Sequence, residues 1–295
     1  VEALREYVNL WVTINEPNVY ATAGYVLGDF PPGKQDVRLA LQVMTNQVKA
    51  HAAAYEAIHE LQKEARVGIA HNYRPLLPRR AWSPLDRLVA SIQSDVYNEF
   101  HLSAISQGVL RSPLGMQRLP QAKGTQDFVG VNYYTREYVS FKPTAPDAMF
   151  SERQFLPGAE LSETGFIANA PLGLFQVLKW ATKFDKPIII TENGVEDSQD
   201  TLRPRYLIQH LHQVWRAVNF NFPIKGYFYW TLVDNFEWER GWTQRFGLWA
   251  LDVETQERRK RPSADLYAEI CRENGISSEM VARYAPEIFD QMFPN

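Results

Sequence analysis

Cysteine is almost absent. Cys271 is the only one among 295 residues, so no disulfide can close within the chain, and a reducing, cytoplasmic setting is the expectation. Long apolar runs are missing too: none approaches the roughly 20 residues that span a bilayer, and no membrane partner is expected. Neither charge sign is in excess. Lysine and arginine number 31 against 34 acidic residues, a net charge of −3. That balance argues against a nucleic-acid partner, because phosphate recognition needs a basic face. The six histidines form no metal-ligand pattern, and His210 and His212 are spaced so that they do not share a helix face. No glycine-rich phosphate loop is visible, so neither a metal nor a cofactor is expected. The first residue is Val1 rather than methionine, and no targeting segment is apparent.

What is present is an ordinary folded composition, 45% hydrophobic and 22% charged, with aromatics at 13% and densest between residues 226 and 249. Apolar runs alternate with helical periodicity. Strands are predicted at 10–14, 67–70, 128–133, 188–190 and 226–231, and helices at 36–61, 86–107, 172–184, 204–220 and 263–273. Leu39, Val43, Val48, Ala52, Tyr55 and Ile58 form one face of the first helix. Leu88, Ile92, Val96, Phe100 and Ile105 form one face of the second. Strands alternating with helices predict a parallel sheet with helical crossovers. No linker divides the chain, so residues 1–295 read as a single domain, with loops at 76–85 and 142–172. The run Arg258-Arg259-Lys260-Arg261 reads as a solvated basic turn.

Two carboxylate motifs stand where predicted strands run out into loops. Thr13-Ile14-Asn15-Glu16-Pro17 follows the first strand, and Thr191-Glu192-Asn193-Gly194 follows the fourth. Taken singly, Glu16 reads as an acidic residue in the first turn of a helix and Glu192 as a solvated turn residue beside Asn-Gly. Taken together they read differently. Side chains at the C-terminal strand ends of a parallel barrel converge on one rim, and two facing carboxylates are the minimal equipment for cleaving a glycosidic bond.

At this point the chain resembles glycoside hydrolase family 1, the β-glucosidase family. The resemblance rests on residues 13–17, Gly24-Tyr25 with Gly28 and Pro31-Pro32-Gly33, residues 127–135 (DFVGVNYYT), 189–194 (IITENG) and 226–247 (GYFYWTLVDNFEWERGWTQRFG). It implies a (β/α)8 barrel and a retaining β-glycosidase without cofactor. Glu16 would be the general acid/base and Glu192 the nucleophile. Asn15 would contact the sugar 2-hydroxyl, Asn132 and Tyr134 would lie beside the nucleophile, and Trp230 would lie under the ring. Glu237 and Trp238 would bind the outer hydroxyls, with Phe246 lining the same pocket. An acidic Glu237 would repel phosphate, so an unphosphorylated β-glucoside or related oligosaccharide is the expected ligand, with β-galactosides and β-fucosides as further candidates. A transglycosidase and a non-catalytic carbohydrate-binding derivative are the alternatives.

The resemblance also implies that the barrel is incomplete in this chain. Five of eight βα units are recognisable, and the N-terminal three are expected elsewhere: in a longer product, in a natural chain of which this is a piece, or in a second polypeptide. Five strands do not close a regular eight-stranded barrel.

Overall fold

The computed structural model describes residues 1–112, 115–145 and 148–294. Five strands form one parallel sheet in consecutive order: β1 (Leu10–Asn15), β2 (Arg66–Asn72), β3 (Val129–Asn132), β4 (Ile188–Glu192) and β5 (Ile224–Tyr227). Among the described residues β1 and β5 each pair on one side only, so the sheet has two open edges. The interior strands are buried on both faces, Val67, Ile69, Val129, Val131, Ile188 and Ile190 on one and Gly68, Ala70, Gly130 and Ile189 on the other, as suits a parallel sheet covered on both sides.

The crossovers start and stop where local chemistry dictates. Helix α1 (Val37–Leu61) is capped by Asp36, whose carboxylate accepts from the Arg38 and Leu39 N–H groups at 2.9 and 3.0 Å. Helix α2 (Pro84–Ser94) is capped by Ser83. It passes through a wide turn at Asp95–Glu99 into α3 (Phe100–Gln107), which Gly108 ends at φ 71°. Helices α4 (Pro171–Ala181), α5 (Arg203–Asn219) and α6 (Pro262–Glu273) each carry proline in the first turn, where a missing N–H costs nothing. The main core lies between α1, α3, α4 and the outward faces of β2–β4. A second core packs α5, α6 and the C-terminal helix Ser278–Tyr284.

Several sequence expectations are corrected. The fifth strand is Ile224–Tyr227, earlier than 226–231; beyond it the Phe228 and Trp230 N–H groups still bond the Ile190 and Asn193 carbonyls, but in irregular backbone. The second helix is two helices around the 95–99 turn. Its face is also rotated, with Leu88 and Ile92 exposed while Asp86 and Gln93 are buried. These polar groups go inside because partners await them: Asp86 takes Arg80 in a two-point contact at 2.8 Å, and Gln93 bonds Arg153 at 2.6 Å. The face of α1 centres on Ala40, Met44, Val48 and His51.

The segments read as loops contain short strands. Leu76–Pro78 pairs with Glu137–Phe141, which pairs with Ser151–Gln154; residues 146 and 147 of that stretch lie outside the described residues. The basic run is a strand, Arg258–Lys260. Arg261 is not solvated: it is buried in a two-point ion pair with Asp234 at 3.0 and 3.1 Å.

Candidate active site

Parallel strands share a rim at their C-terminal ends, and the polar residues collect there. Register sets Asn72 opposite Asn132, and Asn132 opposite Glu192, so three strand ends are level. Glu16 follows β1 at φ 46° and ψ 54°, a left-handed conformation that non-glycine residues seldom adopt. Its N–H is anchored on the Ala70 carbonyl at 2.7 Å, and its carbonyl receives the Tyr20 N–H at 3.0 Å. The turn into the following Pro17–Thr22 helix therefore points the carboxyl at the rim.

The side chains form one hydrogen-bonded seam. Glu16 Oε1 accepts from Asn72 Nδ2 and from Asn132 Nδ2, both at 2.9 Å. Asn132 also donates to Asn15 Oδ1 at 3.1 Å and accepts from the Thr191 hydroxyl at 2.5 Å. The Tyr134 hydroxyl donates to Glu192 Oε2 at 2.5 Å. Beneath them Asn193 is fully buried. It donates to the Tyr133 carbonyl and the Tyr206 hydroxyl at 2.8 and 3.1 Å, and accepts from the Tyr227 hydroxyl at 2.8 Å. A Cβ on Gly194 would stand 1.9 Å from the Trp230 carbonyl oxygen, so only glycine lets the β4 exit pass beneath Trp230.

A cavity of about 220 Å³ opens over this seam, lined by Asn15, Glu16, Tyr134, Glu192, Trp230, Glu237, Trp238 and Phe246. Asn132 lies under its floor, fully buried. All nine residues singled out in the sequence are thus brought together. Trp238 is 60% exposed and stacks on Phe30 with ring centres 4.9 Å apart. Phe246 is buried and meets Tyr134 edge to face. The loop carrying Glu237 and Phe246 is tied down by Asp234, which accepts the Gly247 N–H at 2.8 Å and pairs with Arg261.

Burial in the cavity favours the neutral form of its carboxyl groups. Burial pushes Glu192 up to about 8, and the neighbouring Glu16 adds to the rise, against the opposing hydrogen bond from Tyr134. Burial also raises Glu16, against the amides of Asn72 and Asn132 and the charge of Arg74. Glu237 is pushed to about 7, by burial first and by Glu16 second. All three shifts run in the same direction and have burial as their first cause.

The sequence reading missed Asn72, Arg74, Tyr97, Phe30, Phe166 and Arg240, which line the same cavity. Asn72 carried a usable signal, a polar residue ending an apolar strand, as Asn15 and Asn132 do. Arg74 and Tyr97 carried none, because only tertiary packing brings them there.

The glycosyl hydrolase family 1 profile matches residues 1–276. A β-galactosidase from Sulfolobus acidocaldarius is 35% identical over 286 residues, which cover 94% of this chain and 57% of that protein. β-Glucosidase A from Thermotoga maritima is 31% identical, with 93% and 66% covered. Among solved structures, a β-glycosidase from Pyrococcus horikoshii superposes with a TM-score of 0.88 at 37% identity, over 96% of this chain and 65% of that one. The T. maritima β-glucosidase in complex with deoxynojirimycin gives 0.86 at 29% identity, over 94% and 66%. The chain thus spans 57–66% of these relatives. From profile, sequence and structural likeness alike, the chain belongs to glycosyl hydrolase family 1.

Proposed function

We propose that this chain carries the catalytic pair of a retaining β-glycosidase acting on unphosphorylated β-glucosides, with β-galactosides and β-fucosides as further substrates. The observation that carries this reading is the placement of Glu16 and Glu192 in one cavity, Glu16 held by Asn132 and Glu192 by Tyr134. In a retaining enzyme the carboxyl groups stand about 5–5.5 Å apart, one protonated and one ionised. Glu16 gives its proton to the leaving oxygen while Glu192, which must first shed the proton that burial favours, attacks the anomeric carbon in its ionised form. The Tyr134 hydroxyl holds Glu192 Oε2 and leaves the other oxygen to react. Glu16, now a base, takes a proton from water, which releases the sugar from Glu192 with the original configuration. In this reading Asn15 holds the 2-hydroxyl, Asn132 and Tyr134 stand beside the nucleophile, Trp230 lies under the ring, and Glu237 with Trp238 holds the outer hydroxyls. Phe246 closes the pocket against Tyr134.

The reading includes an eight-stranded barrel completed by further strands, supplied by the same polypeptide or a second one. It is supported by the open edges of β1 and β5 among the described residues and by the exposed apolar side chains of Val12 in β1, at 44%, and of Phe228 directly after β5, at 53%. Unpaired edges of this kind associate. Residues 1–295 in isolation are accordingly expected to self-associate and to be inactive on aryl β-glucosides, with activity restored by the completing strands.

The test of the nucleophile is chemical. In the active protein, Glu192→Gly abolishes hydrolysis of an aryl β-glucoside, and added azide yields the α-glycosyl azide, because a single displacement inverts the anomeric centre. A β-azide product would assign the nucleophile elsewhere.

A further inference from the structure

One wall of the cavity carries charge that the double-displacement chemistry does not use. Arg74 lines the cavity two residues beyond Asn72, whose amide holds Glu16. Its backbone is clamped at both ends by the fully buried Asn98, which accepts the Arg74 N–H at 3.0 Å and donates to its carbonyl at 2.9 Å. Its guanidinium lies 6.0 Å from the centre of the Tyr97 ring and pairs with Glu137 at 3.3 Å. Arg153 lies over the same ring at 5.6 Å and reaches the same Glu137 oxygen at 3.8 Å. Two guanidinium groups therefore share one carboxylate, and the cluster holds a net positive charge.

That charge stands on the same side of the cavity as Glu16. The carboxylates that act on Arg74 are Glu137 and Glu16. Glu237 instead feels Glu16, Glu239 and Arg240, and Arg240 is paired with Glu239 at 3.3 Å. Arg74 thus stands on the Glu16 side of the cavity, and Glu16 in the proposed reaction protonates the leaving oxygen. Once Glu16 is protonated its own charge is gone, and the Arg74–Arg153–Glu137 cluster is left with one unbalanced positive charge at the leaving-group wall. We propose that Arg74, backed by Arg153, recognises a carboxylate on the leaving group, so that the preferred substrates are β-glycosides of acidic aglycones. A planar guanidinium on a backbone clamped by Asn98, and itself held beside Tyr97 by Glu137, suits the fork geometry of a carboxylate and loses little freedom on binding it.

The inference rests on the proposed glycosidase reading, and two measurements keep them apart. The first uses the active protein with 4-carboxyphenyl β-glucoside and its methyl ester. Turnover of either tests the glycosidase reading; the ratio of their kcat/KM values tests the subsite. The ratio is expected to fall about tenfold or more in Arg74→Met, the loss of a charge-assisted contact, and to be partly kept in Arg74→Lys. Glu137→Gln, which removes the competing carboxylate, should raise it. An unchanged ratio in Arg74→Met, with the pH profile displaced equally for both substrates, would mean that Arg74 only positions Glu16 and would overturn the proposal. The second measurement needs no turnover: calorimetric affinity for the 4-carboxyphenyl 1-thio-β-glucoside against its methyl ester. Tighter binding of the acid, lost in Arg74→Met, supports the subsite; equal affinity in the unsubstituted protein refutes it.

Discussion

The two sides of the cavity are built differently. On the seam formed by β1–β4, the carboxyls proposed to react sit among amides and hydroxyls that already hold them. Asn72 and Asn132 fix Glu16, Tyr134 fixes Glu192, and Asn193 ties the β3 and β4 exits together. On the wall after β5, Phe236 and Trp238 stand 61% and 60% exposed, and few polar contacts reach them. That wall is kept in place from behind, by the buried Asp234–Arg261 pair and by Arg203, whose guanidinium is fully buried against the Tyr229 hydroxyl and the Asp197 and Arg245 carbonyls. The difference follows from the work each side does. A carboxyl that must exchange a proton needs fixed dipoles around it. A platform for a sugar face needs open aromatic surface and a rigid backing.

The contrast can be broken most sharply at Glu16. Glu16→Ala should slow hydrolysis of poor leaving groups by about 10²–10⁴-fold while sparing glycosyl transfer to Glu192 from good ones. Azide should then accelerate turnover and give the β-glycosyl azide. Equal losses on good and poor leaving groups, measured by steady-state kinetics, would remove the acid role from the seam.

The backing of the far wall is tested by Asp234→Ala. Taking one partner from a buried ion pair costs about 3–5 kcal/mol, so a clear fall in Tm and a higher KM are expected, with the pH limits of kcat unmoved. A shift in those limits would show that the two sides are not separately held.

A smaller effect should appear in stability against pH. Glu192 is raised by folding from an ordinary carboxylate value to about 8. Its stabilising contribution is therefore fully present below about 4.5 and is lost as pH rises through 8. Glu192→Gln removes this dependence. The variant should be inactive yet more stable than the parent by a few kcal/mol near pH 9, with the difference vanishing near pH 4. Parallel denaturation curves at both pH values would contradict the burial of charge proposed for the seam.

The mildest change is expected at Glu237→Ser. Losing a charge-assisted contact to a sugar hydroxyl costs about 1.5–3 kcal/mol, so kcat/KM for glucosides should fall while discrimination against 6-phospho-glucosides lessens. An unaltered ratio between the two substrates would leave the specificity of the far wall to other residues.

Much of this was readable from residue order. Strand, turn and helix signals located the five strands and their crossovers, and Asp36, Ser83, Gly108 and Asn274 mark helix ends by chemistry confined to a single turn. The misreadings have one cause. Leu88 and Ile92 were assigned inward because they are apolar, yet Asp86 and Gln93 occupy that face, since Arg80, Phe141, Ser151 and Arg153 meet them there. The run from Gly226 to Thr231 has the composition of a strand, but β5 ends at Tyr227 and the residues beyond it pass Asn193 and Gly194 in irregular backbone.

Sequence alone therefore determined which chemical groups the chain owns and which strand ends carry them, because periodicity, capping and turn preferences act over a few residues. Only the tertiary structure decided what those groups do to one another. The level register of Asn72, Asn132 and Glu192, the proton held at the Glu16–Glu192 pair, and the meeting of Arg74, Tyr97, Glu137 and Arg153 all join segments far apart in the chain. Electrostatic and hydrogen-bond energies depend on distance and burial, and neither is written in the order of residues.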